Sequence, residues 1–105
     1  MKIFTHTIES TLLEQIDTEI RFVIASARAC GKELIHFKFK TESAGKFDEI
    51  AIKQLRAIKK QGKIDFFASE ASFSENNAEA SYLKNKFPEV ADLIGSENSY
   101  FIVKI

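Results

Sequence analysis

The chain has one cysteine, one proline, four glycines and no tryptophan in 105 residues, and its formal net charge is zero. A lone Cys30 cannot close an internal disulfide, so no covalent staple is expected. No run approaches the roughly 18 consecutive apolar residues of a membrane span, and no secretory leader is visible. Those two absences make a cytosolic setting, and no membrane partner, the expectation. Four scattered glycines supply neither G-x-G-x-x-G nor a P-loop, which excludes phosphate cradles built on exposed backbone N–H groups. Neither His6 nor His36 has cysteine or carboxylate companions at metal-ligand spacing, so no metal and no cofactor are expected.

What is present describes one ordinary domain over residues 1–105, with 45% apolar and 29% charged residues, enough to bury a core without help. Ten phenylalanines point to a core filled by rings that need no hydrogen-bond partner. The organising stretch is Glu33-Leu34-Ile35-His36-Phe37-Lys38-Phe39-Lys40. Ile35, Phe37 and Phe39 alternate with His36, Lys38 and Lys40, the period of a strand with one apolar face and one titratable face.

The rest of the chain falls into place around it. Lys2 to Ile8 reads as a first strand, with Thr5 and Thr7 β-branched. Ser10 or Thr11 fits an N-cap, with Glu14 closing a capping box on Thr11. Leu13, Ile16, Ile20, Val23, Ile24 and Ala27 then recur at steps of three and four, and Gly31 suits the position just past the helix end. After a polar loop, Phe47, Ile50, Ala51, Leu55 and Ile58 mark a second helix closed by Gly62. Lys63 to Ala68 is a third strand, and the polar tract 69–77 reads as a loop. A third helix runs from about Asn77 to Lys86 and breaks at Phe87, because Pro88 cannot sit in a helix interior. Pro88 opens a new turn that ends near Gly95, and Tyr100 to Ile105 is the last strand. The expected fold is α/β: a single-layer, mostly parallel four-stranded sheet with flanking helices, ordered βαβαβ(αα)β. One core should hold Leu13, Ile16, Ile20, Val23, Ile35, Phe37, Leu55 and Phe66.

The zero net charge hides an asymmetry. Residues 32–63 hold nine Lys/Arg against four Asp/Glu, whereas residues 64–105 hold three against seven. Lys46, Lys53, Arg56, Lys59 and Lys60 lie on the outer face of the second helix and could meet an anionic partner. The plainer reading, of a basic helix and an acidic tail that face each other or solvate two surfaces, is preferred on general grounds.

His6, His36 and Lys38 are the candidates for chemistry. If the first two strands are parallel neighbours, both imidazoles approach the carboxyl ends of the sheet, where a histidine pair and a lysine suit acid–base work on a phosphodiester. The plainer reading packs His36 under a helix as a satisfied core or boundary residue and leaves His6 exposed. Ser26 and Cys30, inside or at the end of the first helix, do not look like activated nucleophiles. The alternating rings and lysines of residues 37–40 would stack on unpaired bases if exposed, but in a half-buried strand they belong to the core.

The chain resembles the Smr (small MutS-related) family, which carries an Asp-Leu-His motif near its first strand and a His-Gly-Lys-Gly motif after its second. Phe4-Thr5-His6 falls on the first motif, with His6 matching. His36-Phe37-Lys38-Phe39 falls on the second, with His36 and Lys38 matching. The resemblance covers residues 2–68 and implies a nucleic-acid-binding domain, some members being endonucleases. Phe4 stands in place of the acid, Phe37 and Phe39 stand in place of both glycines, and the tract 71–98 is longer than the family's hairpin. The middle βαβ unit is also similar in order to STAS-type regulatory domains, without a phosphoacceptor motif. The favoured expectation is therefore a small cytosolic binding or regulatory domain that acts on another protein without catalysis. The alternative is Smr-like nucleic-acid binding through Lys38, Lys40, Lys53, Arg56, Lys59 and Lys60, in a degenerate nuclease.

Overall fold

A computed structural model describes residues 2–10, 12–39, 44–93 and 100–105; the side chains of 13, 44–48 and 100 lie outside that description. Its elements are β1 (Ile3–Ile8), α1 (Leu13–Ala29), β2 (Leu34–Phe39), α2 (Ala44–Lys60), β3 (Phe66–Ser69), α3 (Glu70–Ser74), α4 (Ala78–Lys86), a 3-10 helix (Pro88–Leu93) and β4 (Tyr100–Lys104).

The sheet is open, four-stranded and mixed, in the order β1-β2-β4-β3. β1 and β2 are parallel, but β4 runs antiparallel to both β2 and β3, so the expectation of a mostly parallel sheet is corrected. The reason lies in the connection between β3 and β4. The chain leaves β3 at Ser69 and re-enters beside it at Phe101, its cross-strand partner. A strand that starts at the end where the previous one stopped has to run backwards.

The β1–α1–β2 and β2–α2–β3 crossovers step the same way across the sheet, and right-handed connection then puts both helices on one face. Ile16, Ile20, Val23, Ile24 and Ala27 of α1, with Ala51, Leu55 and Ile58 of α2, cover Ile35, Phe37, Phe39, Phe101 and Val103 there. Both helices end alike. Gly31 and Gly62 take positive φ, and the next residue's N–H returns to the carbonyl five residues back: Lys32 to Ala27 and Lys63 to Ile58. Only glycine adopts that conformation without strain, which is why these two positions read correctly from sequence. The start of α1 does not: Leu12 takes the cap position without a side-chain hydrogen bond, Ser10 is engaged elsewhere, and Thr11 lies outside the described residues.

The opposite face carries a second core, where a single one was expected. Ile3, Leu34, Ala68 and Ile102 of the sheet pack beneath Phe73, Ala80, Leu83, Phe87 and Val90, and Phe66 joins this cluster. The cover is three short helical pieces, including α3 where a loop was expected. Ser69 and Ser72 cap α3 reciprocally, side chain to backbone in both directions. Asn76 ends it at φ 54, a conformation asparagine tolerates, and the Asn77 side chain accepts from Ala80 N at 3.0 Å to start α4. Phe87 ends α4, and Pro88 opens the 3-10 helix as its missing N–H allows. The expected stop at Gly95 lies outside the described residues.

Candidate functional site

Register decides what can converge. His6 pairs with Phe37, Thr5 with His36, and His36 with Ile102. Paired residues share a face, so His6 sits on the α1/α2 side and His36 on the other side, under the short helices. The sheet therefore stands between the two imidazoles, and they cannot act on one phosphodiester. Lys38 shares the His36 face; Lys40 lies outside the described residues.

His6 belongs to a small polar network. Its Nε2 lies 2.6 Å from Glu19 Oε2, and its ring meets Phe37 edge-on at 6.1 Å. Glu19 also accepts from the Ser10 hydroxyl and from the backbone N–H groups of Glu9 and Ser10. Partial burial pushes the Glu19 carboxyl up, but the hydrogen bonds from Ser10, His6 and the two amides together outweigh burial and hold it below its ordinary value. The order of contacts is Ser–Glu–His, with the acid in the middle. A nucleophilic serine needs the imidazole between itself and the acid, so Ser10 donates to a carboxylate and has no base on its oxygen. The network fixes the turn from β1 into α1.

His36 is 2% exposed. Burial, with Lys38 nearby, pushes its pKa down to about 4. A group so placed stays neutral at physiological pH. Phe37 and Phe39, 1% and 2% exposed, are equally sealed from solvent, so neither ring offers a stacking surface for bases.

The charged surfaces are separated instead of paired. Lys53, Arg56, Lys59 and Lys60 are exposed along α2. Among the described residues none of them forms an ion pair; the pairs that do form are Lys2–Glu33, His6–Glu19, Arg21–Asp17 and Lys104–Asp65. The acidic third of the chain builds the opposite layer, although Glu70 and Glu75 share a 380 Å³ recess with Ile52 of α2. The cations thus form an unneutralised stripe that lies apart from His36.

Sequence reasoning missed the residues that extend this surface. Arg21 reaches from α1 to Gln61 (2.8 Å) while holding Asp17, and Arg28 donates to the Lys63 carbonyl. With Ile24, Ala25, Ile58 and Lys63 they line a 260 Å³ groove between α1 and α2. Phe22 and Leu12 stand 71% and 60% exposed on α1. A step off the apolar stripe was the sequence signal for Phe22; Leu12, four residues before Ile16, keeps in step with it, and for Glu19 there was no signal. Among the described residues no three His, Cys, Asp or Glu side chains are grouped to hold a metal, and no helix is long and apolar enough to cross a membrane.

No protein-family model, no curated protein and no solved structure matches the chain.

Proposed function

We propose that the chain is a small binding or regulatory domain of the cytosol that recognises another protein, without catalysis, through the outer face of α2. The observation that carries this reading is the stripe of Lys53, Arg56, Lys59 and Lys60, exposed and without carboxylate partners among the described residues. Such a stripe suits an acidic protein surface. The neighbouring groove, whose floor of Ile24, Ala25 and Ile58 lies among Arg21, Arg28 and Lys63, adds the mixed apolar and charged character of protein interfaces. The exposed Cys30 thiol suits a reducing compartment.

Nucleic-acid binding of the Smr type is the second reading, favoured by the same four cations. Four phosphate contacts make a salt-sensitive complex, one that weakens about fifty-fold between 50 and 150 mM salt at a slope near −0.9 per contact. Lys38 faces away from that stripe, so it adds nothing to it.

A photo-crosslinking residue in place of Ala57, beside the stripe, tests both. The expected product in cells is a discrete protein adduct that disappears with Lys53→Glu and Arg56→Glu. An adduct to RNA or DNA, with micromolar anisotropy binding that persists at 150 mM salt, transfers the conclusion to the second reading. No adduct above that of a crosslinker at Asn85, which is exposed on α4 away from the stripe, rejects both.

A further inference from the structure

The two edges of the sheet are finished differently. β3 has four residues and turns at once into α3 through the Ser69–Ser72 cap, a short and blunted edge. β1 has six, stays in step with β2 from Ile3↔Leu34 to Ile8↔Phe39, and contains neither proline nor glycine. Proteins usually guard such an edge with a bulge, a proline or a charge pointing inward, because its free N–H and C=O groups template another strand. β1 has no bulge or proline, and its one titratable side chain, His6, is turned to α1 and held there by Glu19.

The direction of its backbone groups follows from one hydrogen bond. The Lys2 carbonyl accepts from Leu34 N (3.1 Å), so Lys2 points its backbone toward β2. Alternation then turns Phe4, His6 and Ile8 toward β2 and leaves the N–H and C=O groups of Ile3, Thr5 and Thr7 facing outward. Beside this ladder, whose outward groups have no backbone partner among the described residues, a 110 Å³ hollow on the face of the short helices is lined by Ile3, Thr5, Glu89, Asp92 and Leu93. Its floor is apolar, and its rim carries two exposed carboxylates with no ion pair among the described residues.

We propose that β1 is a docking edge for an extended basic segment of another protein, which adds as a fifth strand. A lysine or arginine of that segment lies with its stem over Ile3 and Leu93 and its charge against Glu89 and Asp92, as long cationic side chains do on apolar surface with an acidic rim. A second copy of the chain fits less well. Two β1 edges paired antiparallel gather both pairs of carboxylates at one seam, and the cation at the strand's start, Lys2, already holds Glu33 at 3.3 Å. The surface is distinct from the α2 stripe and opposite in sign, so the domain can hold two partners at once.

The probe is a fluorescein-labelled heptapeptide of alternating valine and lysine, set against the same peptide with glutamate for lysine. Anisotropy should show the basic peptide binding at least tenfold more tightly. Backbone amide shifts should concentrate at Ile3, Thr5 and Thr7. Glu89→Lys with Asp92→Lys should weaken binding at least tenfold while the melting temperature holds. Thr5→Pro, which removes an outward N–H that no strand of this sheet uses, should fold and block docking. Equal binding of both peptides, no binding at millimolar peptide, or shifts centred on α2 overturns the proposal. So does a concentration-dependent dimer that Thr5→Pro dissolves, since that gives the edge to a second copy.

Discussion

Two 17-residue helices cover one face of the sheet, and segments of five, nine and six residues cover the other. The first layer is held by continuous apolar stripes, each long enough to fix its own orientation. The second is held by joints: the Ser69–Ser72 cap, the Asn76–Asn77 hinge, the stop at Phe87 and the start at Pro88. Each joint satisfies backbone groups that a short helix cannot satisfy within itself. Both faces nonetheless bury their sheet residues; Leu34 and Ile102 are as sealed as Ile35 and Val103. Equal burial therefore does not mean equal means of holding it. Short helices are marginal without tertiary contacts, so the second layer should open locally well before the first.

The largest expected effect is on the long-helix side. Phe37→Ala, beneath α1 and α2, should cost about 3–5 kcal/mol in urea unfolding. A midpoint within experimental error of wild type would remove Phe37 from the first core and level the comparison.

Next comes acid, which strikes the short-helix side through His36. Its folded pKa is lowered from 6.5 to about 4, so between those values the unfolded chain takes up a proton that the folded chain refuses. Stability should fall as pH drops from about 6.5 to 4, by up to about 3 kcal/mol, with no contribution above neutrality. Unfolding of His36→Gln and wild type across that range isolates the effect. Parallel pH curves would mean that the second layer admits water to the imidazole.

The smallest effects come from the terminators. Gly62→Ala, at φ 73 with open space around the added Cβ, should cost about 1 kcal/mol by conformation alone, read in the global unfolding midpoint. Asn77→Ala should cost a similar amount, about 1 kcal/mol, but hydrogen exchange should show the loss in α4 and leave α1 protected. If Asn77→Ala speeds exchange equally in both helices, the two layers open as one unit and the comparison fails.

The same contrast explains what the sequence disclosed. Steps of three and four along Ile16, Ile20, Val23 and Ile24 are a local signal, as are Gly31, Gly62 and Pro88. The short layer offers no such stripe. α3 was hidden in a polar tract, although Ser69-x-x-Ser72 and Asn76 are its start and stop in outline. The alternation in β2 marked a titratable face, and the plainer reading of His36, packed under a helix, agrees with its burial beneath the short layer. Strand order, the antiparallel β4 and the His6–Glu19 contact depend on residues 13 to 70 positions apart, beyond what local pattern carries. The cations of α2 were legible as a stripe; that they stand unpaired was not, since pairing is a property of the assembled layers.

The place of β4 has a consequence for how the domain is made. Tyr100–Lys104 is synthesised after the other three strands, yet it belongs in the middle of the sheet. Until it clears the ribosome, β2 lacks its second neighbour and β3 has no strand to pair with, so each presents a raw edge to any strand nearby. The β1–α1–β2 unit can form beforehand, because the pairing of β1 with β2 is complete within the first 39 residues. The sheet itself closes only when β4 enters between β2 and β3, because β3 pairs with no other strand. Long-range insertion of that kind is slow, and the waiting nascent chain is most exposed to mispairing in that interval.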